Sequence, residues 1–238
     1  ILLGGVLLSG RADAAPCGGA TSCTFTINNS QVSGITGTDF GTVNLSLLSG
    51  VITFTIDLNS PGNDPGLRLI NTSDQHATFS FNLNGVSEPG ITLGNFRSTS
   101  TTGANTLANP WVVTNSLASI YGDGNGTGTN TPYGSFDEHV VADCNGSCAA
   151  ARNILIFDVS RTGGFSSLDQ VVKLGTSNNG TPNVYFAMDV TNGTNTGSIG
   201  VTGDTRITLN NVPEPQSAAL LGTGLLGLAF AAKRMRRK

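Results

Sequence analysis

Charge is the scarcest commodity in this chain: Asp, Glu, Lys and Arg together make up 11% of its 238 residues. Cations are scarcer than anions through most of it. Between Ala15 and Val212 stand six Lys and Arg against thirteen Asp and Glu, a net charge of −7 that the whole-chain value of −3 conceals. An acidic stretch without a basic patch argues against nucleic acid and anionic lipid as partners. Histidine is almost missing, with only His76 and His139. No His-Glu-x-x-His, no Gly-x-Ser-x-Gly elbow and no phosphate-binding loop occurs, so the common hydrolase and nucleotide-binding signatures are absent. Away from the two ends helical periodicity is nearly absent as well.

What fills the chain is Thr, Ser, Asn and Gly in alternation with apolar residues, a pattern too regular for disorder. In Val51 to Leu58, the residues Ile52, Phe54, Ile56 and Leu58 face one way and Thr53, Thr55 and Asp57 the other, as in a half-buried strand. Ala77 to Leu83 repeats this, with Phe79, Phe81 and Leu83 inward and Thr78, Ser80 and Asn82 outward. Val184 to Val190 repeats it through Val184, Phe186, Met188 and Val190. Cys23 to Ile27, Thr42 to Leu47, Asn153 to Val159 and Arg206 to Leu209 read as further strands, with Asn153 to Val159 apolar on both faces and therefore mid-sheet. Turn residues separate them, as in Asn84-Gly85, Asn179-Gly180 and Asn192-Gly193. The fold expected over residues 15–210 is an all-β sandwich of jelly-roll type. One two-turn helix is expected where Ser166-Ser167-Leu168-Asp169 precedes Val171, Val172 and Leu174. Arg97 to Asn109 and Tyr121 to Thr131 read as long surface loops.

Few residues offer chemistry. Cys17 and Cys23, and Cys144 and Cys148, form two close pairs; disulfides are expected, local pairing is preferred, and crossed pairing stays open. His76 reads as a solvated turn residue. Asp137-Glu138-His139, with Asp143, is the densest titratable cluster, and the simpler reading is a polar loop leading to Cys144. Asp123-Gly124-Asn125-Gly126-Thr127-Gly128-Thr129 places oxygen donors like a calcium loop. Position twelve is Gly134, however, so the EF-hand pattern fails; no cofactor is expected, with calcium the one open alternative. Trp111, Tyr121 and Tyr133 fall in one loop-rich third and are candidate glycan contacts, with core packing as the competing reading.

The two ends carry the clearest information. Ile1 to Leu8 is apolar, and Ala12 and Ala14 stand where a signal peptidase requires small residues, so residues 1–14 read as the remnant of a secretory signal whose true start is missing. At the other end Val212-Pro213-Glu214-Pro215 leads into Gln216 to Ala232, with no charge from Ala218 onward. Lys233, Arg234, Met235, Arg236, Arg237 and Lys238 follow. Fifteen helical residues span about 22 Å, short of a ~30 Å hydrocarbon core. The terminal cations stay on the cytoplasmic side and place the body across the inner membrane. The prolines hold Glu214 in extended backbone, open to a processing enzyme.

This order of motif, apolar stretch and basic cluster resembles the PEP-CTERM sorting signal of Gram-negative bacteria, over residues 211–238. The resemblance implies transient membrane anchoring through a short hydrophobic helix, processing by an exosortase near the Pro-Glu-Pro motif, and an exopolysaccharide or biofilm role at the cell surface or outside the cell. A non-enzymatic structural protein is the expectation; a carbohydrate-binding module or weak glycan-active enzyme is the alternative.

Overall fold

The alternating segments pair, without exception, as antiparallel strands. A computed structural model describes residues 15–58, 66–72, 76–87, 90–97, 121–123, 128–142, 153–177, 180–205 and 207–209. One sheet is built from β1 (Ser22–Thr26), β3 (Thr42–Leu48), β4 (Val51–Asp57), β7 (Ile91–Arg97), β12 (Ile154–Arg161) and β15 (Ile207–Leu209), in the order β15-β1-β3-β4-β12-β7. The second holds β2 (Asn29–Ser30), β6 (Phe79–Phe81), β8 (Tyr121–Asp123), β11 (Glu138–Ala142), β13 (Val184–Thr191) and β14 (Thr196–Thr202), in the order β2-β14-β13-β6-β11-β8, with β5 (Arg68–Leu69) also paired to β13. A separate hairpin, β9 (Gly128–Asn130) and β10 (Gly134–Phe136), completes the described strands. The all-β sandwich is as the alternation requires, and β12 lies inside its sheet between β4 and β7 as its two apolar faces demand.

Register explains the core. Leu45 pairs with Phe54 and Phe54 with Phe157, so all three point to the same face. Phe54 and Phe157 stack with ring centroids 5.0 Å apart, and Phe54 also meets Phe81 at 4.9 Å and Phe79 at 5.6 Å from the opposite sheet. Phe25 meets Phe186 edge-on at 5.2 Å. Six phenylalanines thus seam the two sheets. Each burial stabilises the fold by roughly 1.5–3 kcal/mol.

Turn chemistry sets the strand ends. Ser49 and Gly50 both have positive φ (52° and 79°) between the paired Leu48 and Val51, the two-residue geometry that suits strand twist. Gly41 has φ 129°, and a side chain there would bring Cβ within 2.0 Å of the Asp57 carbonyl oxygen, so only glycine fits.

Three expectations are corrected. The expected two-turn helix is a single 3-10 turn, Leu168–Val171, capped by Ser167 with Gln170 closing the capping box. Leu168 and Val171 are already buried, three residues apart, and Val172 returns to extended backbone. Tyr121 to Thr131, expected as a loop, contributes β8 and β9. Thr78, Ser80 and Asn82, expected in solvent, are buried.

Candidate functional site

The outer face of the second sheet is covered, and that explains the buried polar side chains. Across β14, β13 and β6, Gly200 opposes Ala187 and Ala187 opposes Ser80, which opposes His139 on β11. These small residues make a shallow bed for the β9-β10 hairpin. Tyr133 lies over Gly200, where an added Cβ would come 3.1 Å from the tyrosine Cζ. Gly128 packs on His139, where a Cβ would come within 2.4 Å of Cγ. Tyr133, Phe136, Val184 and Ala187 form a second small core there. Asn130 stitches the cover down: its Nδ2 donates to the Ala77 carbonyl at 2.7 Å and its Oδ1 accepts from Ser198 Oγ at 2.8 Å.

Asp189 is the centre of this face. Its own strand, β13, pairs with β5 after Asp189 and with β6 before it along one edge, so the chain leaves the sheet beside Asp189 and returns. The Asp189 carbonyl accepts from Ile70 N, and its N–H donates to the Ala77 carbonyl, which closes both flanks of the excursion. Its carboxylate Oδ2 accepts from Thr72 N at 2.9 Å and Thr72 Oγ1 at 2.7 Å. His76 Nδ1 stands 4.0 Å from Oδ1. Burial pushes the Asp189 carboxyl up to about 7, against the opposing pull of the Thr72 hydrogen bonds. Burial also holds the His76 imidazole below its ordinary value. His76 is therefore no solvated turn residue; it bridges to Asn130 as an isolated β-pair. Sequence reasoning passed over Asp189. The signal was there, a carboxylate inside Ala187-Met188-Asp189-Val190, but alternation alone points such a residue outward.

The other expected residues fall as follows. Glu138 and His139 lie in β11, not in a loop, so they point to opposite faces of the sheet and cannot share one catalytic site. Glu138 is 2% exposed and pairs with Phe81. Asp137 caps the end of β6, accepting from Leu83 N at 2.9 Å. Tyr133 corrects the glycan-contact expectation: it is 1% exposed and its hydroxyl donates to Asn29 Oδ1 at 2.6 Å, so its ring offers no face to a sugar. Tyr121 is in β8 opposite Ala142, and Trp111 lies outside the described residues. In the calcium-like stretch Asp123 Oδ2 accepts from Leu93 N at 3.1 Å, and Gly124 to Thr127 lie outside the described residues. Among the described residues no group of three or more His, Cys, Asp or Glu could hold a metal ion.

Cys17 and Cys23 are joined in a disulfide with Cα atoms 5.7 Å apart, while Cys144 and Cys148 lie outside the described residues. The bridge ties the incoming chain to β1, and Asp169 Oδ1 accepts from Cys17 N at 2.7 Å. Replacing both Cys17 and Cys23 by serine is expected to cost about 2 kcal/mol, the closure entropy of so short a loop, read as a lowered urea midpoint at unchanged slope.

β1 is also the strand through which the C-terminal segment is attached. Cys23 pairs with Leu209 and Phe25 with Ile207, at the open edge of the first sheet. Val212, Pro213, Glu214, Pro215, the apolar stretch expected as a short helix, and Lys233, Arg234, Arg236, Arg237 and Lys238 follow, outside the described residues. Among the described residues no helix is long and apolar enough to cross a membrane. Comparison with curated proteins and with solved structures gives no match. A family model described as the PEP-CTERM protein-sorting motif matches residues 211–237, the segment that leaves the sheet edge after Leu209. Residues 211–237 are thus a PEP-CTERM sorting motif, the signal of an exported protein addressed to an exosortase.

Proposed function

We propose that the mature body is a non-enzymatic structural component of the cell surface or extracellular matrix, associated with exopolysaccharide after release from the inner membrane. One observation carries the matrix reading. On the outer face of the first sheet, β15, β1, β3 and β4 carry a ladder of hydroxyls and amides, with Thr208 opposite Thr24, Thr24 opposite Asn44, and Asn44 opposite Thr55. Ser22, Ser46 and Thr53 form the next rung. Such a ladder donates and accepts hydrogen bonds at regular spacing, with its charges kept to the margins in Asp57 and the Asp158–Arg97 pair, which suits hydrated polysaccharide chains. Two amide or hydroxyl contacts at about 0.5–1.5 kcal/mol each correspond to roughly a tenfold change in retention. Asn44→Ala with Thr55→Ala is therefore expected to lower retention in extracted exopolysaccharide by that factor, and unchanged retention would remove this face from the reading. The carbohydrate-binding alternative is left with Trp111 and Tyr121 as its candidate contacts, Tyr133 being buried.

Processing is tested separately. Mass spectrometry of the protein from wild-type cells is expected to find a C-terminus near Pro213. Exosortase-deficient cells are expected to retain Lys238. An intact Lys238 in wild-type cells overturns the processing step.

A further inference from the structure

We infer that one end of the sandwich, the rim formed by the Leu48-Ser49-Gly50 turn, the Cys17–Ala20 loop and the exit after Leu209, faces the membrane while the protein is anchored. The inference rests on the sorting motif acting as a membrane anchor, and goes beyond it to the orientation of the body.

The argument is one of register and reach. Leu209 pairs with Cys23, and Cys23 with Leu45, so these three stand in one row across the sheet. β15 runs antiparallel to β1, which points its end toward Ser22 and the Leu48 turn. Leu48 is three residues beyond Leu45, about 10 Å at ~3.3 Å per residue. Pro213 is four residues beyond Leu209, and so many residues reach at most about 14 Å. While β15 stays paired, Pro213 can therefore extend no more than one or two residue lengths beyond this rim. Gln216, where the apolar stretch begins, is at most about 25 Å from Leu209. A leash this short holds the rim close to the bilayer.

The incoming chain leaves at the same place. Ala15, whose carbonyl accepts from Gly18 N, precedes the Cys17–Cys23 disulfide, and that bridge holds the loop against the row of Leu209. Gly18 itself is beside the Leu209 side chain, 3.8 Å from an added Cβ.

The chemistry of the rim agrees. Leu48 is 78% exposed at the tip of the β3-β4 turn and Leu209 is 43% exposed, so two apolar side chains face outward at this end. Asp169, the carboxylate at this end, is engaged by Cys17 N and Gly19 N. Arg161 stands over the Phe165 ring at 5.8 Å. At the opposite end of the first sheet are Asp57, at the close of β4, and Asp39, which accepts from Gly41 N. The acidic body has no long-range attraction to anionic lipid, so the anchor supplies the proximity, and Leu48 with the glycine turns supplies a surface that can rest at the interface.

The test uses the full chain reconstituted in phosphatidylethanolamine–phosphatidylglycerol vesicles, with Cys144 and Cys148 replaced by serine. A nitrobenzoxadiazole label is placed at Leu48→Cys or, at the far end, at exposed Thr38→Cys. Quenching by spin-labelled lipid is expected to be at least about twofold greater at position 48 than at 38, as for a group resting in the headgroup region. Equal quenching, or none at either position in a chain that co-sediments with vesicles, overturns the orientation and leaves the anchor reading intact. Failure to co-sediment at all overturns both.

Discussion

Phe54→Ala is expected to lower the unfolding free energy by about 3–5 kcal/mol, the cost of emptying a phenylalanine site in a core that cannot fully collapse. Phe54 is completely buried, and its ring touches Phe157 in its own sheet and Phe79, Phe81 and Phe186 in the other. The substitution therefore removes contacts that hold the two layers together, and aromatic pairs add ~0.5–1.5 kcal/mol each beyond area burial. Against a typical domain stability of about 5–15 kcal/mol, the variant sits near its unfolding threshold. Urea denaturation followed by far-ultraviolet circular dichroism measures it, with Leu48→Ala as a control expected to stay within about 0.5 kcal/mol because Leu48 is exposed. A Phe54→Ala loss below about 1 kcal/mol would show that the sheets do not pack through this ring.

Asp189→Asn is expected to flatten the pH dependence of stability between about pH 4 and 7. The carboxyl titrates near 7 in the folded protein and near the ordinary carboxylate value when unfolded. In that window the folded state keeps a proton that the unfolded state has lost, so stability is full below the unfolded value and falls as pH rises toward 7. About three pH units at ~1.4 kcal/mol each give an upper figure of roughly 4 kcal/mol. Asparagine keeps an acceptor for Thr72 and has nothing to titrate. At pH 8 the variant should be the more stable protein, and at pH 4 the two should converge. Two other groups act differently. His76, held low by burial, contributes stability above its ordinary value that is lost as pH falls through its folded one, opposite in sign to Asp189. Burial alone would raise Asp158, but hydrogen bonds from Arg97, Asn95 and Thr53 outweigh it and hold the carboxyl low, so its contribution is lost only in stronger acid. Subtracting the variant's urea-denaturation profile from the wild type's isolates Asp189. Parallel profiles would mean the carboxylate is charged and solvated at neutral pH.

The two predictions separate what was legible from what was not. Phe54 could be placed in the core from the alternation of Val51 to Leu58 alone, because a strand with one solvated face writes that face into every second residue. Asp189 could not. Its alternation has the same form, yet the face assigned to solvent is under a hairpin drawn from residues about sixty positions earlier in the chain. The same cover misassigned Thr78, Ser80 and Asn82, turned Tyr133 from a sugar platform into a wedge over Gly200, and left His76 half-buried. Glu138 and His139 show the converse: neighbours in sequence, they are separated by the thickness of a sheet.

Local patterns were enough for β1, β3, β4, β6, β12, β13 and β15, the near-end disulfide between Cys17 and Cys23, and the sorting motif at residues 211–237, because each depends on residues a few positions apart. Sheet order, the covered outer face and the exit of the sorting segment beside the Leu48 turn came from tertiary structure alone. Those features depend on which strands meet across long stretches of chain, and the period-two signal of a strand carries the identity of its faces but not of its neighbours.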